Sequence, residues 1–253
     1  ALQHDGLWCA FDHCTMGESS DLKNSKLGIE RAEQDEWAAA SHERAAAATD
    51  SGEFGEEITA VPVPQRKGEP LSVAEDEGIR RGTTPESLGK LRAAFVDDGT
   101  ITAGNASQVS DGAAALIMAD RTAAEAAGLP IIAEIVSYGQ TAGPDATLHE
   151  RPAEAIRIAL KQADLEPDDM ALYEINEAFA AVSLWSAKML GLPIDRVNVN
   201  GGAVAIGHPL GATGARLLVS LINALRHRGG GYGAAALCGG GGQGDAMVLK
   251  VDA

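Results

Sequence analysis

The 253 residues include 36 acidic and 20 basic side chains, which give a net charge of -16. This balance opposes non-specific attraction to nucleic acid or to an anionic membrane surface, so neither partner is expected. No apolar run reaches the ~18 residues that a membrane span requires. The first residues also lack the basic-then-apolar layout of a signal peptide. The sequence therefore predicts a cytoplasmic protein.

Cys9, Cys14 and Cys238 are the only cysteines, an odd number at irregular spacing. Such a set suits reduced thiols better than a disulfide framework. Metal-ligand spacing does not occur in the sequence, so no metal is expected.

Residues 1–109 are polar and irregular in pattern, which predicts an α+β region with long loops. An alanine-rich stretch at 33–48 favours a surface helix that packs on one side. Residues 58–70 contain prolines and are expected to be extended.

From Asp111 onward the pattern becomes regular. A small-residue apolar run at 113–118 comes first, followed by a helix at 121–128 with a glycine cap. The remaining predicted elements are an apolar segment at 131–137, helices at 152–163, 178–190 and 211–226, and strands at 170–175, 196–200, 233–238 and 246–251. Strands that alternate with helices predict an α/β layered structure.

Three short segments place a polar residue where a predicted strand ends and glycine-rich backbone begins. They are Asn-Glu-Ala-Phe at 176–179, Gly-Gly-Ala-Val-Ala-Ile-Gly-His-Pro at 201–209 and Cys-Gly-Gly-Gly-Gly-Gln-Gly at 238–244. Because ligands of open α/β sheets bind beyond the strand ends, the three segments are expected to meet at one pocket.

The glycine run at 239–242 allows two interpretations. Glycine backbone can adopt positive φ and aim N–H groups at a developing oxyanion. A glycine-rich hairpin without a ligand is the alternative, and composition does not separate the two. Gly239, Gly241 and Gly244 also fit the G-x-G-x-x-G spacing of a dinucleotide-binding fold. That fold is not expected, since only nine residues follow Gly244, too few for a crossover helix and another strand.

His208 and Cys238 are the candidate reactive side chains. A histidine is more often structural than catalytic, but Gly207 and Pro209 fix an irregular backbone at a predicted strand-to-helix turn. A cysteine is ordinarily a small buried hydrophobe. The four glycines that follow Cys238 favour instead a thiol facing a pocket whose amides stabilise the thiolate.

In this order the three segments resemble the signature boxes of thiolases, enzymes that make or break the carbon–carbon bond of 3-oxoacyl-CoA thioesters. The likeness continues upstream through Met-Gly at 16–17, Arg-Arg-Gly at 80–82, Lys-Leu-Arg-Ala-Ala-Phe at 90–95 and Thr-Ile-Thr-Ala-Gly-Asn-Ala-Ser at 100–107. It covers essentially the whole chain, which resembles roughly the C-terminal two-thirds of a thiolase.

The resemblance implies a layered αβαβα fold of two βαβαβαββ domains, with a loop domain inserted in the first. Residues 1–109 would form the loop domain, which contacts CoA and other subunits. Residues 110–130 would end the N-terminal domain, and residues 131–253 would form the C-terminal domain. Thiolases commonly assemble as dimers or tetramers, so a homo-oligomer is expected.

The resemblance also implies catalytic roles. His208 would activate the nucleophilic cysteine and donate to the thioester oxygen, while Asn176 would hold a water in the same oxyanion hole. Cys238 would take the α-proton of acetyl-CoA in synthesis and return it in cleavage. The Gly240 N–H would serve a second oxyanion hole. Acyl-CoA and CoA are substrates or products, and no resident cofactor is implied.

A set of CoA-binding positions matches as well, with Arg80 suited to the nucleotide end and the apolar residues to the pantetheine tunnel. These positions are Leu7, Met16, Arg80, Ser87, Phe95, Ala103, Ala106, Ser107, Ala178 and Phe179.

The sequence departs from the thiolase pattern in two places. Thiolases keep their nucleophile in a Cys-x-Ser-Gly-type segment, and this sequence contains none. The expectation is that the N-terminal domain is missing, that the chain alone has little thiolysis activity, and that the apolar helix at 211–226 is left uncovered. In addition, Thr15 precedes Met-Gly where biosynthetic thiolases usually carry histidine, which leaves chain length and direction open.

Two other functions are compatible with these residues. A non-catalytic CoA-binding or partner subunit is one, although it would not need Asn176, His208 and Cys238 together. A Cys–His hydrolase with Cys238 as nucleophile and His208 as base is the other. Acyl-CoA C-acetyltransferase is the leading interpretation.

Overall fold

A computed structural model of the chain describes residues 2–252. Helices, loops and two short hairpins make up the first part, and a four-stranded sheet with its covering helices makes up the second. The elements of the first part are α1 (Leu2–Gly6), β1 (Trp8–Cys9), β2 (Cys14–Thr15), α2 (Met16–Leu27), α3 (Arg31–Ser51), β3 (Val61–Val63), β4 (Leu71–Val73), α4 (Pro85–Leu88) and α5 (Arg121–Ala126). Those of the second are β5 (Glu134–Ala142), α6 (Arg151–Ala163), β6 (Met170–Ile175), α7 (Ala180–Leu190), α8 (Ala203–Ile206), α9 (Thr213–His227), β7 (Gly231–Gly239) and β8 (Gln243–Val251).

The sheet has the order β5-β8-β7-β6, in which only the β6–β7 pair is parallel. Successive side chains of a strand point to opposite faces. In β7, accordingly, Ala234 and Ala236 belong to the core cluster of α6, whereas Ala235 belongs to that of α9. Helices on both faces explain why β6 is an almost continuous buried run.

Helix α9 is covered by the sheet, so the prediction of an uncovered helix at 211–226 is wrong. Leu217, Leu221 and Leu225 are buried against β6 and β7. A Cβ on Gly233 would lie 2.8 Å from Leu221 Cδ1, so this glycine allows the close approach of α9. Most of the apolar side chains of the helix thus have a partner within the chain.

The strand predicted at 196–200 does not form. Val197 makes a single bridge to Tyr173, and Asn198 takes a left-handed conformation with φ +49. The Asn198 side chain accepts from Ile175 N–H and donates to Ile175 O, both at 2.8 Å. A side chain therefore makes the hydrogen bonds that a strand ladder would otherwise supply.

Helix α3 is longer than the predicted 33–48 and is buried more deeply than a surface helix. Trp37, Ala38 and Ala45 lie inside, where α3 packs on α7 and α8. A Cβ on Gly201 would lie 2.8 Å from Ala45 Cβ, so small residues on both sides permit this contact. The helix brings the first part of the chain against the predicted catalytic segments.

Residues 109–120 run without helix or strand, and most of the apolar run predicted at 113–118 is exposed, although Leu116 packs partly against the core cluster of α9. Ile117 is 94% exposed and Met118 72%. The short helix α5 follows, and Gly128 at φ +65 lies just beyond its end, as predicted. Within residues 2–252, no helix has the length and apolar character needed to cross a membrane.

Candidate active site

Asn176, His208 and Thr213 form a hydrogen-bonded chain beyond the end of β6. His208 Nε2 lies 3.3 Å from Asn176 Nδ2, and His208 Nδ1 lies 2.7 Å from Thr213 Oγ1. His208 itself stands between α8 and α9, so the predicted strand-to-helix turn is in fact a helix-to-helix turn. Gly207 makes this turn possible because its φ of +94 is accessible mainly to glycine.

The hydrogen bonds define the tautomer of His208. Thr213 Oγ1 donates its single proton to the Pro209 carbonyl at 3.0 Å, so it can only accept from the imidazole. Nδ1 therefore carries the proton, and Nε2 accepts from the Asn176 amide. The resulting imidazole presents an unprotonated Nε2 on the Asn176 side, which is the form a general base requires.

The charge state of His208 follows from its surroundings. Burial, reinforced by the nearby Arg216 guanidinium, lowers the pKa of His208 to about 4. The imidazole is consequently neutral at pH 7. Arg216 in turn donates to buried Glu174 at 3.3 Å, while its Nε and Nη2 are buried without a partner in residues 2–252.

Asn176 has one hydrogen-bonding group to spare. Its Oδ1 is buried and has no hydrogen-bond partner within the described residues. A buried acceptor of this kind usually indicates a bound water or ligand. An unpartnered Oδ1 fits the predicted role of Asn176, in which it holds a water, although that role stays a prediction.

Glu177 fixes the position of this segment. Its buried carboxylate accepts four hydrogen bonds, from Trp37 Nε1 at 2.9 Å, Ser41 Oγ at 2.7 Å, Asn198 Nδ2 at 3.0 Å and Val204 N at 3.0 Å. The donors come from α3, the 198 turn and α8. One carboxylate thus joins three elements beside Asn176.

Cys238 lies near the end of β7, followed by the glycine hairpin into β8. Gly241 and Gly242 take φ values of +80 and +77, and a Cβ on Gly242 would lie 2.0 Å from Asp145 O. The glycine run therefore forms a hairpin turn, and its service to an oxyanion stays a prediction. Burial raises the pKa of Cys238 to about 12, so its side chain is a thiol in the ligand-free chain.

Asn176 joins the segment of His208 and lies beside the strand that leads to the third segment. Its backbone N–H donates to Ala236 O at 2.9 Å, two residues before Cys238, and its side chain reaches His208. No hydrogen bond joins Cys238 to His208 in the described part of the chain, where both ring nitrogens have other partners. This geometry disfavours a Cys–His pair of the hydrolase type.

Seven of the predicted CoA-binding residues form a continuous group leading to the glycine turn. Phe95 and Phe179 contact edge to face with ring centroids 5.9 Å apart, and a Cβ on Gly240 would lie 2.5 Å from Met16 Cε. Backbone hydrogen bonds run from Met16 N–H to Leu7 O and from Ser107 N–H to Ala178 O, and a β-bridge joins Ala106 to Phe179. The group consists of Leu7, Met16, Phe95, Ala106, Ser107, Ala178 and Phe179.

The other three predicted CoA-binding residues are exposed. Arg80 is exposed, and its backbone N–H donates to His42 Nδ1 at 3.1 Å. Ser87 is exposed in the capping box of α4, and Ala103 is an exposed turn residue. No hydrogen bond places these three beside the glycine turn in the described structure, and their role stays a prediction.

Thr213, Glu177 and Arg216 were not assigned roles from the sequence. A signal for Thr213 was present, because a hydroxyl five residues after His208 and at the start of α9 is well placed to reach its Nδ1. For Glu177, a carboxylate within an otherwise buried segment signals a need for donors. Two of these donors, Trp37 and Ser41, lie far from Glu177 in the sequence, so the sequence does not identify them.

Comparison with known proteins identifies the class. The family model "Thiolase, C-terminal domain" matches residues 129–251, and "Thiolase, N-terminal domain" matches residues 1–122. The chain belongs to the thiolase family. The prediction that the N-terminal domain is missing is wrong, because residues 1–122 match its family model.

The chain is similar in sequence to several proteins named acetyl-CoA acetyltransferase. The chain is 53% identical over 249 residues to a probable acetyl-CoA acetyltransferase of Mycolicibacterium smegmatis, covering 98% of this chain and 64% of that protein. It is 48% identical over 252 residues to an acetyl-CoA acetyltransferase of Pseudomonas aeruginosa, covering 100% and 64%. The chain therefore spans less than two thirds of the length of these relatives.

Two solved structures share the fold. The crystal structure of the Bacillus anthracis acetyl-CoA acetyltransferase matches with a TM-score of 0.93 and 41% identity, covering 97% of this chain and 62% of that one. Human mitochondrial 3-ketoacyl-CoA thiolase matches with a TM-score of 0.90 and 37% identity, covering 98% and 62%. The predicted thiolase-like layered fold is confirmed.

Proposed function

We propose that this chain carries out acyl-CoA C-acetyltransferase chemistry of the thiolase type: Claisen condensation of acetyl-CoA, or CoA-dependent cleavage of a 3-oxoacyl-CoA. The observation that supports the proposal best is the hydrogen-bonded chain of Asn176, neutral His208 and Thr213, adjoining the strand that carries Cys238. A relative named acetyl-CoA acetyltransferase and one named 3-ketoacyl-CoA thiolase favour the same chemistry.

His208 acts first as a base and then as a donor. Its unprotonated Nε2 exchanges the hydrogen bond from Asn176 for one from the attacking thiol and takes the thiol proton, and the imidazolium so formed donates Nε2–H to the thioester oxygen. Thr213 holds Nδ1–H throughout and keeps the ring in this orientation. A water on Asn176 Oδ1 is the second donor to the same oxygen, which explains the unpartnered acceptor.

Cys238 exchanges the α-proton. In cleavage its thiol protonates the carbon of the departing enolate, and in condensation its thiolate removes that proton from acetyl-CoA. Burial favours the thiol, the form needed for cleavage. The Gly240 N–H lies in the turn directly after β7, where it serves the oxyanion of the second half-reaction.

CoA enters along the group that ends at Met16 and Gly240. Phe95 and Phe179 supply an apolar contact for the pantetheine arm, and Arg80 and Ser87 serve the nucleotide end.

The proposal also includes a division of the chain into three parts. These are a loop domain at 1–109, the end of the N-terminal domain at 110–130 and a C-terminal domain at 131–253. A homo-oligomer and a cytoplasmic location belong to the proposal as well.

Exchange of the acetyl-CoA methyl protons with deuterated water tests the proposal, because this partial reaction uses Cys238 and needs no acyl transfer. We expect the chain to incorporate deuterium. Cys238→Ala should lower the rate by about 10²-fold or more, the usual contribution of a positioned base. Cys9→Ala is the matched control and should exchange like the parent chain.

Three results would contradict the proposal. Equal exchange by the parent chain and Cys238→Ala would remove Cys238 from the reaction. CoA binding by a folded chain that shows no exchange would favour the alternative of a non-catalytic, CoA-binding subunit. An acyl group trapped on Cys238 would instead support a hydrolase.

A further inference from the structure

Cys9 and Cys14 face each other across the first hairpin. The β1–β2 register pairs Cys9 with Cys14 in an antiparallel ladder, and both are free thiols. Directly opposed antiparallel residues have Cα atoms roughly 4.5–5.5 Å apart and side chains on the same face of the sheet. Disulfides span Cα separations of about 4.4–6.8 Å. The pair therefore has disulfide spacing with the backbone where it stands.

This hairpin borders the candidate active site. A Cβ on Gly241 would lie 2.8 Å from Phe11 Cε2, so the tip of the hairpin rests on the glycine turn that follows Cys238. Met16, directly after β2, contacts Gly240 in the same turn. Phe11 is nevertheless 75% exposed, and the loop between the two cysteines makes few bonds of its own. A bond between the cysteines would fix the base of this loop.

We propose that Cys9 and Cys14 form a reversible disulfide that locks the hairpin over the glycine turn at 239–242. A small disulfide such as oxidised glutathione is the oxidant. The thiolate of Cys14, the more accessible of the two, attacks it and releases one glutathione thiol. Cys9 then attacks the mixed disulfide and releases the second glutathione. Two protons and two electrons leave the protein, and one S–S bond forms.

Rates and selectivity follow from the surroundings of each thiol. Burial, with help from Glu18 and Asp12, raises the pKa of Cys14, so exchange is slow at neutral pH and must be allowed to reach equilibrium. Cys238 has the scarcer thiolate, since burial raises its pKa to about 12. It is expected to stay reduced.

The test counts thiols in the intact chain after equilibration with mixtures of oxidised and reduced glutathione. Acid quenching, alkylation and mass spectrometry should show the loss of two of the three thiols, a Cys9–Cys14 crosslink and an alkylated Cys238. Cys238→Ser should form the same crosslink. In Cys9→Ser, Cys14 should stop at the mixed glutathione disulfide, because the resolving thiol is gone.

Three thiols that persist in fully oxidised glutathione would overturn the proposal, as would a crosslink involving Cys238. The lock has its own measurement: iodoacetamide should alkylate Cys238 more slowly in the oxidised chain than in the reduced chain. Equal rates would overturn the lock. Because none of these measurements needs turnover, they are independent of the acetyltransferase proposal.

Discussion

Two regions of the molecule differ in which side chains they bury and which they expose. The polar interface, where α2 and α3 meet the second part of the chain, buries Asn24, Trp37, Ser41, His149 and Glu177. The apolar strip exposes eight large side chains in residues 109–138, namely Val109, Ile117, Met118, Leu129, Ile131, Ile132, Ile135 and Tyr138. Polar residues are inside at the first region, and apolar residues are outside at the second.

The difference shows what positions the site. Every donor around Glu177 has a defined partner, and that carboxylate adjoins Asn176 in sequence. His149 adds a second link, with Nε2 2.7 Å from Asn24 Oδ1. Directional hydrogen bonds to a buried carboxylate specify one arrangement more strictly than apolar contact does, although His149 Nδ1 is buried without a partner in residues 2–252. We therefore expect the site to depend on the polar interface and to tolerate changes in the apolar strip.

The largest expected effect is that of Glu177→Ala. Removal of the carboxylate leaves Trp37 Nε1–H and Val204 N–H without an acceptor and takes one acceptor each from Ser41 and Asn198, so the free energy of unfolding should fall by about 3–5 kcal/mol. Urea denaturation followed by far-UV circular dichroism measures it. Glu36→Ala, which removes an exposed carboxylate from α3, is the control and should change the free energy by less than about 0.5 kcal/mol. Similar losses in both variants would show that the network is not what holds α3.

An intermediate effect is expected from acid. Burial, opposed by Glu150 and aided by Lys23, lowers the pKa of His149 to about 4, below its unfolded value near 6.5. The unfolded chain therefore binds a proton first. The stability that His149 contributes is present above roughly pH 6.5 and is lost as pH falls toward 4, by on the order of 3 kcal/mol.

His149→Gln isolates this contribution from those of buried His42 and half-buried His208, whose pKa values are also lowered to about 4. The free energy of unfolding should depend less steeply on pH in the variant than in the parent chain between pH 6.5 and 4. Parallel curves would mean that His149 is not held neutral by the interface.

The smallest effect on stability is expected in the apolar strip. Ile117→Ser alters a side chain that is 94% exposed, so the free energy of unfolding should stay within about 0.5 kcal/mol. Denaturation curves measure this, and circular dichroism should be unchanged. A loss above ~2 kcal/mol, the range of buried-residue truncations, would show that the strip packs in solution.

Local patterns in the sequence predict much of the secondary structure in the second part of the chain. The strand at 170–175 and the helices at 152–163 and 178–190 agree with the structure to within two residues, because alternation and periodicity report burial directly. The strand at 196–200 failed because Asn198 substitutes its own amide for a ladder. Helix α2 was not predicted at all, since it buries Ser20, Asp21 and Asn24 in place of apolar residues.

The site divides in the same way. Asn176, His208 and Cys238 were found because their glycine-rich boxes are contiguous in sequence, and the structure brings these boxes together. The sequence does not predict the residues that hold Glu177 in place beside Asn176, since its donors Trp37 and Ser41 lie about 140 positions away. Only folding shows which donors satisfy a buried carboxylate.

Nitrogen-15 NMR of the His208 imidazole tests the central claim most directly. We expect a neutral ring at pH 7, with the proton on Nδ1 and an unprotonated Nε2, and a pKa near 4. Thr213→Val, which removes the acceptor for Nδ1–H at similar volume, should disturb this tautomer, and the exposed Thr84→Val should not. A proton on Nε2 at pH 7, or titration of His208 near its ordinary pKa of about 6.5, would contradict the account.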